Sequence, residues 1–319
     1  MFPNFIDYLD DDSSAFTESG KTLRFKNQNI EVINDIPRFT PNHSYSTGNF
    51  SKLREKHATL QLDSKNGTHD RERTVLERTQ WPREFFKGKT ILECGCGAGP
   101  DTEILRSFGA RVLSVDIAGV DIARNNIGND ENVSFVQASI MDLPFKKKSF
   151  DIVWCHRVIQ HTPDPKATLN HILQFVKDDG AVFVHSYART YAQMLRWKYL
   201  LWPITKRMDP EKLYNAIKFY APLANKFTNF MLKFPAGKYF NFFFVPFCNY
   251  RNFYPSKGFN PPLDEQLLEH GIHDTFDALS PEYDEPLSAT YMREMAQKHL
   301  SRPVDVAEHH TITLMRTQV

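Results

Sequence analysis

Between Thr90 and Pro100 the chain reads TILECGCGAGP, a stretch whose residue types suit a ligand loop. An apolar run ends in the acid Glu93, and Gly95, Gly97 and Gly99 follow at every second position. Glycine is required where a ligand must touch backbone, because a Cβ holds the ligand off and disfavours positive φ. The dinucleotide fingerprint G-x-G-x-x-G rests a diphosphate on a helix N-terminus. Here the spacing is G-x-G-x-G, followed by Pro100 and by Asp101, whose charge at the helix start repels a diphosphate. Glu93 suits a ligand that brings an amino or sulfonium cation. A second apolar run, Arg111 to Val115, ends in Asp116, where an acid accepts hydrogen bonds from both hydroxyls of a ribose. A nicotinamide dinucleotide loop and a plain tight turn in an unrelated α/β protein remain the alternatives.

Further along, His156 and His161 are the acid/base candidates, since imidazole removes protons near neutral pH. His156 directly follows an apolar run, while His161 precedes Thr162-Pro163-Asp164-Pro165 and suits fixing that turn or capping the next helix. Arg157 is placed to meet an anionic substrate, with an ion-pair role as the alternative. Cys94 and Cys96 lie inside the loop as C-x-C, with no second Cys/His pair nearby, so packing fits them better than zinc binding or nucleophilic attack.

These residues are positioned by alternating elements. Strands are expected at Thr90–Glu93, Arg111–Asp116, Val133–Gln137, Phe150–Cys155 and Ala181–Ser186, with a turn at Asp178-Asp179-Gly180 before the last. Helices are expected at Asp101–Phe108, Val120–Ile127 and Lys166–Phe175. Nearly continuous apolar strands separated by helices signal a parallel sheet covered on both faces. The fold class is α/β, a doubly wound, mostly parallel seven-stranded Rossmann-like sheet. Such a sheet binds ligands at the carboxyl ends of its strands, where Glu93, Asp116, Ser139 and His156 fall.

Residues 1–70 read as an N-terminal extension, with a hairpin formed by Leu23, Phe25, Ile30 and Val32 around Asn27-Gln28-Asn29, then an irregular segment with a helical turn near Lys52–Leu60. The core spans 71–187, its first stretch helical up to Pro82. Residues 188–285 are aromatic and basic, expected as short helices broken by Pro203, Pro210, Pro222, Pro235 and Pro246. Residues 286–319 resume the core: a helix over Leu287–Leu300 capped by Ser288, then strands Pro303–Glu308 and Thr311–Met315.

With 41% hydrophobic residues, 319 residues bury a sizeable core. The net charge of +1 argues against a strongly basic nucleic-acid binder, but it conceals an asymmetry. Ser186 to Gly258 holds twelve Lys or Arg against Asp209 and Glu211, a balance of +10, which leaves −9 for the remainder. The acidic N-terminus lacks a signal-peptide layout, and no run approaches the ~20 apolar residues needed to cross a bilayer. With reduced thiols, the expectation is a cytoplasmic protein.

ILECGCGAG together with VLSVD resembles the first two motifs of class I S-adenosylmethionine-dependent methyltransferases. FVQASIMDLPFKKKSFDIVWCHRVIQHTPDP resembles the continuation of that family, so the likeness covers roughly residues 88–187. IPRF, Thr59–Ser64 (TLQLDS) and FKGK upstream, and DALSPEYDEPLSATYMREM downstream, are similar to a bacterial type 11-like subgroup with a small N-terminal segment, whose members are often linked to glycan, lipid or natural-product tailoring.

The resemblance implies S-adenosylmethionine as cofactor. It implies that Glu93, Gly95, Gly97 and Gly99 hold the methionine moiety, with Cys94 also cofactor-binding, that Asp116 holds the ribose with Ile117 against the adenine, and that Ser139 and Ile140 meet the adenine edge. His156 then sits beside the methyl-transfer centre, with His161 and Arg157 as further candidates. Ser139 departs from the acid common at its position and accepts more weakly, with Asp142 as fallback. Relatives with a similar N-terminal segment often bind zinc through cysteines there, and residues 1–93 contain none.

Methyl transfer needs alignment of the nucleophile with the sulfonium methyl more than a strong base. The expected acceptor is a small molecule, lipid or glycan. The alternatives are a non-catalytic S-adenosylmethionine-binding module and an RNA methyltransferase. For the aromatic, basic segment three roles stand open: a helical lid, a pocket wall or membrane-resting surface, and a base-stacking platform, the last least supported because Phe outnumbers Tyr and Arg.

Overall fold

The computed structural model describes residues 5–17, 19–40, 55–249, 264–309 and 311–319. At the N-terminus, β1 (Ala15–Phe16), β2 (Thr22–Phe25), β3 (Gln28–Ile33) and β4 (Ile36–Pro37) form a small antiparallel sheet. The hairpin turns at Lys26 and Asn27, one residue earlier than the sequence suggests. Their φ angles of 45° and 63° are the left-handed pair that matches the twist of the flanking strands. Residues 52–54 of the expected helical turn lie outside the described residues. After α1 (Asp63–Asn66), α2 runs from Asp70 to Thr79, and Asp63 accepts the first amides of α2, from Arg71 and Glu72. Pro82 then separates α2 from a short 3-10 turn at Arg83–Phe86.

The core follows as β5 (Thr90–Cys94), α3 (Pro100–Ser107), β6 (Arg111–Asp116), α4 (Val120–Ile127), β7 (Val133–Gln137), β8 (Phe150–His156), α5 (Pro165–Ile172) and β9 (Val176–Tyr187). Alternate strand residues go to opposite faces. Leu92, Leu113, Val153 and Val182 pack with Leu169 and Ile172 of α5. Ile91, Val112, Trp154 and Phe183 pack with Ile104 and Leu105 of α3. One expectation is corrected. Asp178-Asp179-Gly180 is not a turn ahead of the strand but a bulge within β9, where the register jumps from Phe150↔Val176 to Ile152↔Ala181. Gly180 permits it, because a Cβ there would lie 2.9 Å from the carbonyl oxygen of Asp151.

The chain divides into two units, the second comprising residues 55–60 and 190–282 of those described. It is helical: α6 (Tyr191–Met194), α7 (Trp197–Thr205), α8 (Pro210–Met231), α9 (Gly237–Phe244) and α10 (Asp264–Leu279), around a core of Trp197, Leu213, Ile217, Phe247, Ile272 and Phe276. Here too the sequence reading needs correction, since Pro203 and Pro222 lie inside α7 and α8 without ending them. The buried stripe of α8, Leu213, Tyr214, Ile217 and Ala221, offsets the lost amide. Pro210 instead opens α8, capped by Asp209.

The first unit resumes with α11 (Ala289–His299), capped by Ser288, then β10 (Val304–Glu308) and β11 (Ile312–Thr317). The seven-stranded sheet is ordered β10-β11-β9-β8-β5-β6-β7, with β5 to β9 parallel and β11 antiparallel to β9. The chain steps from β5 to β6 on one side and places β8 on the other, so the crevice of a doubly wound sheet opens at the carboxyl ends of β5 and β8.

Candidate active site at the carboxyl ends of the strands

The glycine loop is tied down by its second-strand acid. Asp116 Oδ2 accepts from the amide of Gly97 at 2.9 Å, and Oδ1 accepts from the amides of Ala118 and Gly119, both at 2.8 Å. The carboxylate therefore cross-links the loop after β5 to the turn before α4, a role the sequence did not disclose. Gly119 makes the approach possible, because a Cβ there would sit 2.3 Å from the carbonyl oxygen of Gly97. Gly95, Gly97 and Gly99 all take positive φ.

Beneath the loop, Glu93 is buried, and its Oε2 accepts from Thr102 Oγ1 at 2.6 Å and Ser114 Oγ at 2.7 Å. Burial, reinforced by the charge of Asp101, pushes its carboxyl up to about 7. A cation above the loop reverses that cost, so this acid fits a ligand with an amino or sulfonium group. Cys94 turns its thiol into the sheet core with Leu92 and Val115, leaving its backbone to face the loop.

Asp101 does not act as the bare charge that the sequence implied. It is buried at the start of α3, Oδ2 accepts from Trp154 Nε1 at 3.0 Å and faces His156 Nδ1 at 2.7 Å, and Oδ1 lies 3.4 Å from Arg71 Nε. Together His156 and Arg71 hold it well below the ordinary carboxylate range despite burial. On the other ring nitrogen, Arg78 Nη1 meets His156 Nε2 at 2.7 Å. A guanidinium only donates, so Nε2 accepts and the proton sits on Nδ1, toward Asp101. Burial lowers His156 to about 3, which keeps it neutral. Its two nitrogens thus serve Asp101 and Arg78.

The N-terminal segment completes the β7 edge. Arg38 Nη1 and Nη2 donate to the two carboxylate oxygens of Asp121 at 2.8 and 2.6 Å, and Arg38 bridges in parallel to Gln137. Gln137 Nε2 donates to the carbonyl of Ile117, and the amide of Ser139 donates to Thr40 Oγ1. Ser139 Oγ accepts from the amide of Met141, and Ile140 is buried. Ile117, Ser139 and Ile140 thus gather beside β7, at a distance in sequence from the glycine loop.

The ends of β8 and β9 are built differently. Arg157 takes φ 63°, a left-handed conformation uncommon outside glycine that marks strained sites. His161 Nδ1 meets the carbonyl of Tyr283 at 3.1 Å, and Asp164, not His161, caps α5. The rings of His156 and His185 lie 5.1 Å apart, His185 and Tyr187 6.4 Å, and Tyr187 and His161 5.7 Å. His185 is 1% exposed and Gln160 fully buried. Among the described residues the Gln160 side-chain amide has no hydrogen-bond partner, and the His185 imidazole has none on another residue. Burial, then Arg78, His156 and Arg157, lowers His185 well below its ordinary value. Neither residue is among the sequence candidates, although a histidine inside the apolar run AVFVHSY is a visible signal.

A doubly wound sheet with a backbone-lined loop after its first strand and an acid ending its second defines an α/β domain for a nucleotide-like cofactor. Residues 92–184 match the family model described as a methyltransferase domain. A ubiquinone biosynthesis O-methyltransferase of Coxiella burnetii is 30% identical over 113 residues, covering 34% of this chain and 48% of that protein. Its counterpart in Glaesserella parasuis is 31% identical over 149 residues, covering 42% and 60%. The chain thus spans about half the length of the curated relatives it matches. An S-adenosylmethionine-dependent methyltransferase of Mesorhizobium loti superposes with a TM-score of 0.34 at 22% identity, covering 40% of this chain and 58% of that one. Residues 92–184 are thus similar to a methyltransferase domain, and the cofactor that goes with that likeness is S-adenosylmethionine.

Proposed function

We propose that this protein transfers the methyl group of S-adenosylmethionine to a nucleophile on a small-molecule, lipid or glycan acceptor, in a cytoplasmic setting. The observation that carries the reading is the loop from Gly95 to Gly99, held open by Asp116 above the buried Glu93. Glu93 and the loop amides would take the methionine end, Asp116 the ribose, and Ile117, Ser139 and Ile140 the adenine. The cofactor, when bound, supplies a methyl on a sulfonium, which a correctly aligned nucleophile attacks without a strong base. His156 acts in this reading as a positioning residue, holding Asp101 and Arg78, and not as the proton acceptor. Gln160, His185, His161 and Arg157 form the acceptor side. Of oxygen, nitrogen and carbon, oxygen is favoured, because the matched relatives are named O-methyltransferases.

Thermal unfolding with S-adenosylhomocysteine and with NAD tests the cofactor site, with a rise in Tm expected only for the first. Incubating the protein with methyl-labelled S-adenosylmethionine and a cell extract then tests catalysis. Label in an organic-extractable small molecule supports the reading. Label in RNA, or binding without any transfer, would overturn it.

A further inference from the structure

We propose that the helical unit docks on an anionic lipid bilayer through one face of α8 and α9. Helix α8 carries two apolar stripes where a surface helix ordinarily carries one. The first, Leu213, Tyr214, Ile217, Ala221 and Thr228, is buried in the unit's own core. The second is Phe219, Leu223, Phe227 and Phe230, spaced at four, four and three residues and continued past the helix end by Phe234, and it faces solvent. At 3.6 residues per turn the two stripes lie roughly 140° apart around the axis. Phe219 is 89% exposed and Leu223 74%, so this stripe is not covered by the described residues of the unit.

Helix α9 extends the patch. Phe227 lies 6.4 Å from Phe240, which lies 5.3 Å from Phe244, itself 69% exposed, and Tyr239 is exposed beside them. A contiguous aromatic surface on two helices exceeds the scattered exposed hydrophobes normal for a soluble domain. Its charge is one-sided. An exposed lysine directly precedes a patch aromatic four times, as Lys218-Phe219, Lys226-Phe227, Lys233-Phe234 and Lys238-Tyr239, and Lys212 to Asn249 contains no Asp or Glu.

Rings flanked by lysines and free of acids fit a partner that is apolar within and anionic at its surface. In a bilayer the rings enter the acyl boundary while the lysine stems reach back to the head groups. No helix among the described residues is long and apolar enough to cross a membrane, so the attachment is to one face of the bilayer.

Flotation of the full chain with vesicles of phosphatidylcholine, alone or mixed with phosphatidylglycerol, tests this. Binding is expected to the mixed vesicles, falling as salt rises. Each of Lys226→Gln and Lys233→Gln should weaken it about five-fold. Phe219→Ser with Phe227→Ser and Phe244→Ser should weaken it at least ten-fold while circular dichroism and S-adenosylhomocysteine affinity stay unchanged. Three outcomes overturn the proposal: no binding to the mixed vesicles, serine variants that bind as well as the parent, or a patch that instead mediates RNA binding or self-association lost in those variants.

Discussion

On the β5–β6 side of the crevice the acids are answered: Glu93 by two hydroxyls, Asp116 by three backbone amides, and Asp101 by Trp154 and His156 at Oδ2, with Oδ1 held in an ion pair by Arg71 and no hydrogen bond. At the ends of β8 and β9 the buried Gln160 side chain has no hydrogen-bond partner among the described residues, and the His185 ring has none on another residue. A buried polar group left unpaired costs about 1–3 kcal/mol, so the two sides are prepared differently. In the proposed reading the first, pre-organised for a ligand of fixed structure, takes the cofactor. The second, with hydrogen-bonding capacity in reserve, takes the acceptor.

The largest effect that can test the contrast lies at Asp101. Asp101→Ala leaves Arg71 buried without its counter-charge and frees the His156 proton, and breaking such a pair should cost about 3–5 kcal/mol in urea unfolding. Asp101→Asn, which keeps an acceptor for Trp154, should cost less. If Asp101→Ala were nearly neutral, the satisfied side would not be the stabilising one.

Next comes the pH dependence of the same side. Glu93 is raised above its ordinary 4.5 to about 7 in the fold. Its protonated form is therefore favoured by folding, and the contribution is complete below 4.5 and lost as pH climbs through 7. The shift amounts to about 3 kcal/mol. His156 runs the other way: lowered from 6.5 to about 3, it contributes fully above 6.5 and loses that contribution as pH falls toward 3. Urea unfolding of the parent and of Glu93→Gln from about pH 4 to about pH 8 isolates the first slope, which the variant should lack. A ligand with an amino cation should ionise Glu93, so S-adenosylhomocysteine affinity should rise over that same interval in the parent alone.

Smaller in stability but sharp in binding is Gly119→Ala. Its Cβ would meet the Gly97 carbonyl oxygen, backbone against backbone, so loop and turn must part. Calorimetry should show S-adenosylhomocysteine affinity down at least ten-fold, about 1.4 kcal/mol, in a protein that remains folded.

On the satisfied side the elements were legible and the pairings were not. Alternation of apolar runs places Arg111–Asp116, Val120–Ile127 and Val133–Gln137 where the structure has them, because a buried parallel strand leaves a continuous apolar signature. The glycines and terminal acids announce themselves by spacing. What the sequence hid depends on contacts distant in the chain. Arg38 meets Asp121 and Arg78 meets His156 across about eighty residues, and neither pairing leaves a local pattern. The bulge at Asp178–Gly180 read as a turn because its residue types are those of a turn, and only the register with β8 separates the two. Pro222 misled for the converse reason, since tertiary packing of α8 outweighs one missing amide.

His185 gives the smallest change in stability and the most direct test of the contrast. A buried imidazole with no partner on another described residue is a standing cost, so His185→Leu should leave stability unchanged or raise it by up to about 1 kcal/mol. Gln160→Leu, which nearly preserves shape, should behave the same way. If these groups wait for the acceptor, both variants should bind S-adenosylhomocysteine as the parent does while kcat/KM for methyl transfer falls at least ten-fold. Were either variant to lose stability yet transfer methyl normally, its polar atoms would be paired in solution, and the β8–β9 side would be as closed as the β5–β6 side. The acceptor would then have to be recognised elsewhere at the strand ends, with Arg157, strained at positive φ, as the next residue to examine.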